Sequence, residues 1–208
     1  CGKHNPLKLL HNRLACSPYC QMDRRHAVER SIQSLQRIYA FVVALAIGRA
    51  IEATFLTSGS LSFDIERLPI LVAFLVTVVP FFHGMNRHLD RCYLEQHDTM
   101  VQKALRFDFI VFFLEAGLLF ALAASARSGL YGFLILAVIL AIDTAWATIS
   151  QWIHYGDEDT GTWRWAAINV ITIFLIVLIY FWQGYTETAK PWILAMLATS
   201  RSILDYWS

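Results

Sequence analysis

Six long apolar segments make up most of this chain, and their length constrains its fold more than any other feature. They cover residues 38–57, 68–84, 107–125, 130–150, 165–184 and 189–207. A helix needs about 20 apolar residues to cross the hydrocarbon core of a bilayer, which is roughly 30 Å thick. Backbone polar groups inside a bilayer must be bonded within the protein, and helices meet this requirement. The sequence therefore predicts an all-α, polytopic transmembrane helix bundle of about six spans.

The last of these segments, 189–207, allows two interpretations. Pro191 suits the beginning of a helix, but Arg201 and Asp205 interrupt its second half. A helix of this mixed character either spans the bilayer or lies in its interface. The alternative prediction is therefore five spans and one interfacial helix.

Composition also favours a membrane protein. The chain is 57% hydrophobic and 16% charged, whereas soluble domains are about 45–50% apolar and about 25% charged. Its net charge of +1 lacks the basic excess of nucleic-acid-binding proteins, so no direct nucleic-acid partner is expected. HExxH, GxSxG, Walker A, GxGxxG and TVGYG motifs do not occur, which excludes the well-marked hydrolase, nucleotide-driven and potassium-selective classes. The sequence predicts no cofactor and leaves any metal site unassigned.

Basic residues are divided unevenly between the two sides of the predicted bundle. Twelve lie before the first apolar segment and in the loops on that side, against three on the opposite side. Because cytoplasmic loops carry the excess of Lys and Arg, both termini are predicted to be cytoplasmic. Residues 1–35 are expected to form a basic, partly disordered arm that docks a cytoplasmic protein, and residues 36–208 the transmembrane domain. The predicted location is the bacterial inner membrane.

Ionisable residues occur within the apolar segments. A charge at the bilayer centre costs about 2.5–3.5 kcal/mol on insertion scales, so such residues face the bundle interior. Arg49 and Glu52 are three residues apart and Arg201 and Asp205 are four apart, so each pair can neutralise itself on its own helix.

Glu115 and Asp143 are left without a counter-charge on their own helices. Protonation, a contact from Arg201 or a visiting cation would each satisfy them. We therefore predict an ion pathway lined by all six residues, with Glu115 and Asp143 as its charge-binding groups. A buried ion-pair network that fixes helix packing explains the same residues equally well.

A second group of candidates lies where the second apolar segment leaves the membrane. His83, Asp90 and His97 recur every seven residues, and Arg87 follows His83 by one helical turn. A histidine near an aspartate can accept a proton, so this stripe is a predicted gate or proton relay. The alternative is a set of solvated charges that meet lipid head groups.

Together these patterns predict a small-ion channel or transporter, for a cation or a proton, with no catalytic residue assigned. A chain of 208 residues encloses only a narrow path, so a homo-oligomer is expected. Two other classes remain open. One is a non-catalytic subunit or sensor that acts through the basic arm. The other, the least favoured, is a membrane-embedded enzyme using His83, His88, Asp90 and His97.

Overall fold

Six helices make up almost all of the described chain. The computed structural model describes residues 18–57, 60–61, 64–95, 101–151, 160–184, 186 and 188–207. The helices are α1 (Pro18–Phe55), α2 (Leu68–Leu89), α3 (Val101–Ala124), α4 (Tyr131–Ser150), α5 (Thr160–Phe181) and α6 (Ala189–Trp207). The predicted all-α class is confirmed.

The remaining described elements are short. Strands β1 (Leu56–Thr57) and β2 (Ser60–Leu61) pair antiparallel after α1. Single 3₁₀ turns precede α2 (Ile65–Arg67) and follow α3 (Ser125–Ser128). A π-helical segment, Asp90–Glu95, continues directly from α2.

Five of the described helices are long and apolar enough to cross a membrane. They are His26–Phe55, Ile65–Tyr93, Leu105–Arg127, Tyr131–Ser150 and Trp163–Phe181. The sixth helix, α6, is less apolar, yet it packs along α2 and α5 and buries Leu194, Ala198 and Arg201. The chain therefore has the helices of a multi-pass membrane protein, with α6 as part of the same bundle.

Helix α1 is much longer than the first apolar segment. Its 38 residues correspond to about 57 Å at 1.5 Å per residue, which exceeds the thickness of the hydrocarbon core. It begins at Pro18, a residue that suits a first helical turn, and already buries Ile32 and Leu35. Residues 1–17 lie outside the described residues, so the partly disordered arm stays a prediction.

The six helices pack in a closed ring. Helix α1 packs on α3, and α4, α5, α6 and α2 follow in that order around the ring, with α2 packing on α1 again. Large apolar side chains such as Ile110, Phe174 and Phe181 are 65–71% exposed on its outside. Asp108, Glu115 and Arg201 are at most 3% exposed. An apolar exterior around buried charges is the distribution that a lipid solvent favours.

The two ends of the bundle differ in their chain segments. One end carries the beginnings of α1, α3 and α5 and the ends of α2, α4 and α6. We call it the inner end, because the distribution of basic residues predicts that it faces the cytoplasm. The opposite end is the outer end.

Candidate functional site

The bundle interior contains a group of ionisable side chains that we call the central cluster. Its members are Glu115 of α3, Asp143 of α4, Asn169 of α5, and Arg201 and Asp205 of α6. Arg201 Nε donates to Asn169 Oδ1 at 2.9 Å. Its Nη1 and Nη2 lie 3.4 Å from Asp205 Oδ2 and 3.9 Å from Asp143 Oδ2. These contacts of Arg201 join α4, α5 and α6.

Asn169 and Phe81 hold the guanidinium group in place. Asn169 Nδ2 donates to Asp143 Oδ2 at 3.3 Å while its carbonyl oxygen accepts from Arg201. The Phe81 ring of α2 lies under the guanidinium, 5.5 Å from ring centroid to Arg201 Cζ. A cation over an aromatic face is stabilised by the ring quadrupole. Arg201 is therefore positioned from three helices, its own among them.

The charges of the central cluster do not balance. The cluster contains three carboxyl groups and one guanidinium group, which contacts Asp143 and Asp205, so full ionisation leaves an excess of two negative charges. Glu115, Asp143 and Arg201 are only 2%, 5% and 3% exposed, and uncompensated buried charge is costly. Glu115 and Asp143 are close enough to interact electrostatically, and two neighbouring buried carboxyl groups are stabilised when one of them carries a proton. Full ionisation of the central cluster is therefore unfavourable.

Polar atoms with unused hydrogen-bonding capacity surround this carboxyl pair. Glu115 Oε1 and Tyr39 Oη are buried and make no hydrogen bond to the described part of the chain, whereas the terminal nitrogens of Arg201 have their ion pairs with Asp143 and Asp205. Tyr39, on α1, is close enough to interact electrostatically with Glu115 and Asp143. Buried polar atoms without partners are rare, because each costs about 1–3 kcal/mol. Their concentration here marks the place where a small polar species would be stabilised.

A second polar group lies at the inner end, and we call it the His88 cluster. It comprises His88, Cys92, Tyr93, Asp108 and Trp146. Asp108 accepts from Tyr93 Oη at 2.5 Å and from Trp146 Nε1 at 2.9 Å, and it lies 3.0 Å from His88 Nε2. His88 Nδ1 lies 3.6 Å from Cys92 Sγ. Asp108 is fully buried, and these three contacts supply the donors that a buried carboxylate needs.

Phe112 separates the two clusters. Its ring centroid lies 6.2 Å from that of His88, 5.1 Å from that of Trp146 and 6.5 Å from that of Tyr39. Phe112 is 1% exposed and lies on α3 between Asp108 and Glu115. An aromatic ring therefore fills the space between the inner polar group and the central carboxyl pair.

Most large buried side chains in the outer half of the interior are apolar, although Lys190 and Ser125 are also buried near the outer end. The largest of these apolar side chains are each at most 1% exposed, and they are Ile70, Phe74, Leu119, Leu122, Phe133 and Leu136. The Thr54 and Thr77 hydroxyls in this half donate to carbonyls of their own helices. The central cluster is thus closed toward the outer end by packed hydrocarbon.

Arg49 and Glu52 lie away from the central cluster. They form the ion pair that their spacing predicts, at 2.7 Å, with side chains 32% and 47% exposed. The pairing of Arg201 with Asp205 and the contact of Arg201 with Asp143 also follow the sequence reasoning. A role for Arg49 and Glu52 in ion passage stays a prediction.

The predicted gate stripe lies on the outside of α2. His83, Arg87 and Asp90 are exposed, and Asp90 accepts from Gln36 Nε2 of α1 at 3.2 Å. His97 lies outside the described residues. His88, the residue that follows Arg87, points inward instead, with a side chain 9% exposed. Within the described part of the chain, no three His, Cys, Asp or Glu side chains are arranged to hold a metal ion.

The π-helical segment explains why sequence reasoning missed the His88 cluster. In an α-helix Tyr93 would lie well round the helix from His88, five residues earlier. A π-helix bonds residues five apart and so brings these two side chains to one face, where both meet Asp108. The signal available in the sequence was Asp108 itself, seven residues before Glu115 in an apolar helix.

The hydrogen bond from Tyr93 gives a direct test of the His88 cluster. Tyr93→Phe removes a donor to a buried carboxylate, and hydrogen bonds to charged groups contribute about 1.5–3 kcal/mol. We expect the free energy of unfolding in detergent to fall by about 2 kcal/mol. Tyr131→Phe is the control, because Tyr131 is 58% exposed. Equal stability of the two variants would contradict this description of the cluster.

No protein-family model, curated protein or solved structure matches this chain. Its class is therefore defined by its own fold and side chains. They describe a multi-pass α-helical membrane protein with two buried ionisable clusters, one central and one at the inner end.

Proposed function

We propose that this protein transports a small cation, and specifically the proton, across the cell membrane. The observation that carries the proposal is the buried Glu115–Asp143 carboxyl pair beside Arg201, with more negative than positive groups in the central cluster. Ionisable groups inside membrane bundles are functional candidates by default, because inserting them is costly. A carboxyl pair that gains and loses a proton changes the charge of the centre without rearranging its ligands.

The guanidinium group favours a proton over a metal cation. Arg201 Nη2 lies 3.9 Å from Asp143 Oδ2, so a metal ion bound to Asp143 would be repelled by the neighbouring positive charge. A proton becomes part of the carboxyl group and leaves it neutral. Arg201 then stabilises whichever carboxylate is deprotonated.

The apolar outer half favours a transporter over a permanently open channel. Protons need polar groups or water along their route, and Phe74, Leu119 and Phe133 fill the outer interior with hydrocarbon. We propose that these helices separate when the central cluster exchanges protons with the outer side. At the inner end, by contrast, the interior contains the polar His88 cluster, which lies nearest the cytoplasm in the predicted orientation.

The proposal includes the membrane arrangement expected from the sequence. Both termini are cytoplasmic, the location is a bacterial inner membrane, and the protein assembles as a homo-oligomer around this helical unit. A cytoplasmic partner would bind the predicted arm, residues 1–35, through the part that precedes the buried Ile32 and Leu35. If the protein were instead a subunit that depends on such a partner, it would be inactive alone.

Flux measurements in liposomes test the proposal. Purified protein is reconstituted in vesicles that contain a pH-sensitive dye, with a potassium gradient and valinomycin to set the membrane potential. We expect proton flux in the wild type, and only the rate of protein-free vesicles for Glu115→Gln combined with Asp143→Asn. Flux should be lost in the double mutant because both exchangeable carboxyl groups have been removed.

Glu66→Gln is the matched control. Glu66 is exposed in the 3₁₀ turn at the outer end, so its replacement makes the same chemical change outside the interior. Wild-type flux in the double mutant, with folding and orientation verified, would overturn the proposal. Absence of flux from all three proteins would favour the partner-dependent subunit, and addition of cytosolic extract would then be the next condition.

A further inference from the structure

We propose that His88 and Asp108 form a second proton-binding site, separate from the central cluster, which loads the Glu115–Asp143 pair from the inner end. This inference rests on the proposed proton transport. It concerns the route by which protons reach the central carboxyl groups.

The hydrogen bonds of Asp108 identify the atom that gains and loses the proton. Asp108 accepts from Tyr93 Oη and Trp146 Nε1, so both of its oxygens are occupied as acceptors. A carboxylate in that position orients His88 with its Nε2–H toward Asp108. The other ring nitrogen, Nδ1, faces Cys92 Sγ at 3.6 Å and is left as the site of exchange.

The surroundings of His88 come from three other elements. Helix α3 contributes Asp108 and Phe112, and α4 contributes Trp146, whose ring centroid lies 4.7 Å from that of the imidazole. The π-helical segment contributes Cys92 and Tyr93. Among these neighbours Asp108 is the charged group that stabilises the imidazolium form. Protonated His88 and ionised Asp108 are together neutral, so loading cancels the negative charge that ionised Asp108 alone leaves in the interior.

The two proton sites are arranged along one helix. Asp108 and Glu115 are seven residues apart on α3, which corresponds to about 10.5 Å along the helix axis. This distance exceeds one hydrogen bond, so transfer requires several donor–acceptor steps of about 2.8 Å each. Phe112 occupies the intervening space, and its movement would admit the bridging groups. The arrangement makes loading and onward transfer two separate events.

The first test compares proton flux in three variants as the pH on the inner side is changed. For His88→Gln we expect the initial flux to fall about tenfold, equivalent to a barrier higher by about 1.4 kcal/mol, with a flatter dependence on pH. Asp108→Asn should behave alike, since it removes the group that orients His88. His26→Gln is the control, because that histidine lies on α1 with a side chain 63% exposed. Wild-type flux and pH dependence in a folded His88→Gln protein would overturn the second site.

A second measurement does not depend on flux or on the stability of the His88 variants. Nitrogen NMR of ¹⁵N-histidine-labelled protein reports protonation of the His88 ring directly. We expect a reversible change at Nδ1 in both the wild type and Glu115→Gln, because loading precedes transfer to Glu115. A His88 signal that does not change over the working pH range would overturn the inference. Flux that is lost in Glu115→Gln but unaffected in His88→Gln would overturn it while leaving the proposed function intact.

Discussion

Replacing Arg201 by Gln should destabilise the folded protein by about 3 kcal/mol, at the lower end of the cost of breaking a buried ion pair. Arg201 is the positive group that contacts both Asp143 and Asp205, and it is 3% exposed. Its loss leaves carboxyl groups in a low-dielectric interior without their counter-charge. Uptake of protons by these groups relieves part of the cost, which is why the lower end of the range applies.

A charge-compensated variant separates this electrostatic effect from lost packing. Stability is measured as the free energy of unfolding in detergent, from the loss of helical circular dichroism. Adding Asp143→Asn to Arg201→Gln removes a carboxylate together with the guanidinium, and we expect it to restore more than half of the lost stability. Arg106→Gln is the control, because Arg106 is exposed near the same end of the bundle. Destabilisation that the second substitution leaves unchanged would show that Arg201 acts through packing.

Phe133→Ala should open the apolar outer half to protons and also destabilise the bundle. Phe133 is fully buried, and Phe→Ala in soluble cores costs about 3–5 kcal/mol. In a bilayer the unfolded segments remain in an apolar solvent, so mainly the packing loss remains, and we expect about 2 kcal/mol. The space that is left in the buried core would admit water toward the central cluster.

Proton leak distinguishes a barrier from ordinary packing. Vesicles with Phe133→Ala should lose a pH gradient faster than wild-type vesicles, including when Glu115→Gln is present, because the leak bypasses controlled exchange. Phe174→Ala makes the same change at a side chain 65% exposed to lipid and should alter neither leak nor stability. Vesicles that stay tight with folded Phe133→Ala would place the barrier elsewhere.

Ion pairs between residues of the same helix could be predicted from the sequence. The spacing of Arg49 and Glu52 and of Arg201 and Asp205 predicts both ion pairs, and both are present. This works because residues three or four apart on a helix lie on the same face whatever surrounds them. The contact from Arg201 to Asp143 was one of three alternatives, and choosing among them required the arrangement of α4 and α6.

Most contacts between different helices could not be predicted from the sequence. His88 and Asp108 belong to different helices, and their meeting depends on how α2 and α3 rotate against each other. The π-helical segment that brings Tyr93 to the same carboxylate leaves no clear pattern in the residues. Asn169 was visible as the strongly polar member of its apolar segment, but its position between Asp143 and Arg201 was not.

The sequence by itself predicted an α-helical membrane protein and identified which charges lie within its apolar segments. Both follow from the length and polarity of single segments, since the bilayer acts on each helix separately. The tertiary structure decided which of those charges meet, that Arg49 and Glu52 lie on the outside while His88 lies inside, and that the outer half is closed by hydrocarbon. These features depend on helix order and rotation, which are determined by side-chain packing between neighbours rather than by the polarity of any one segment.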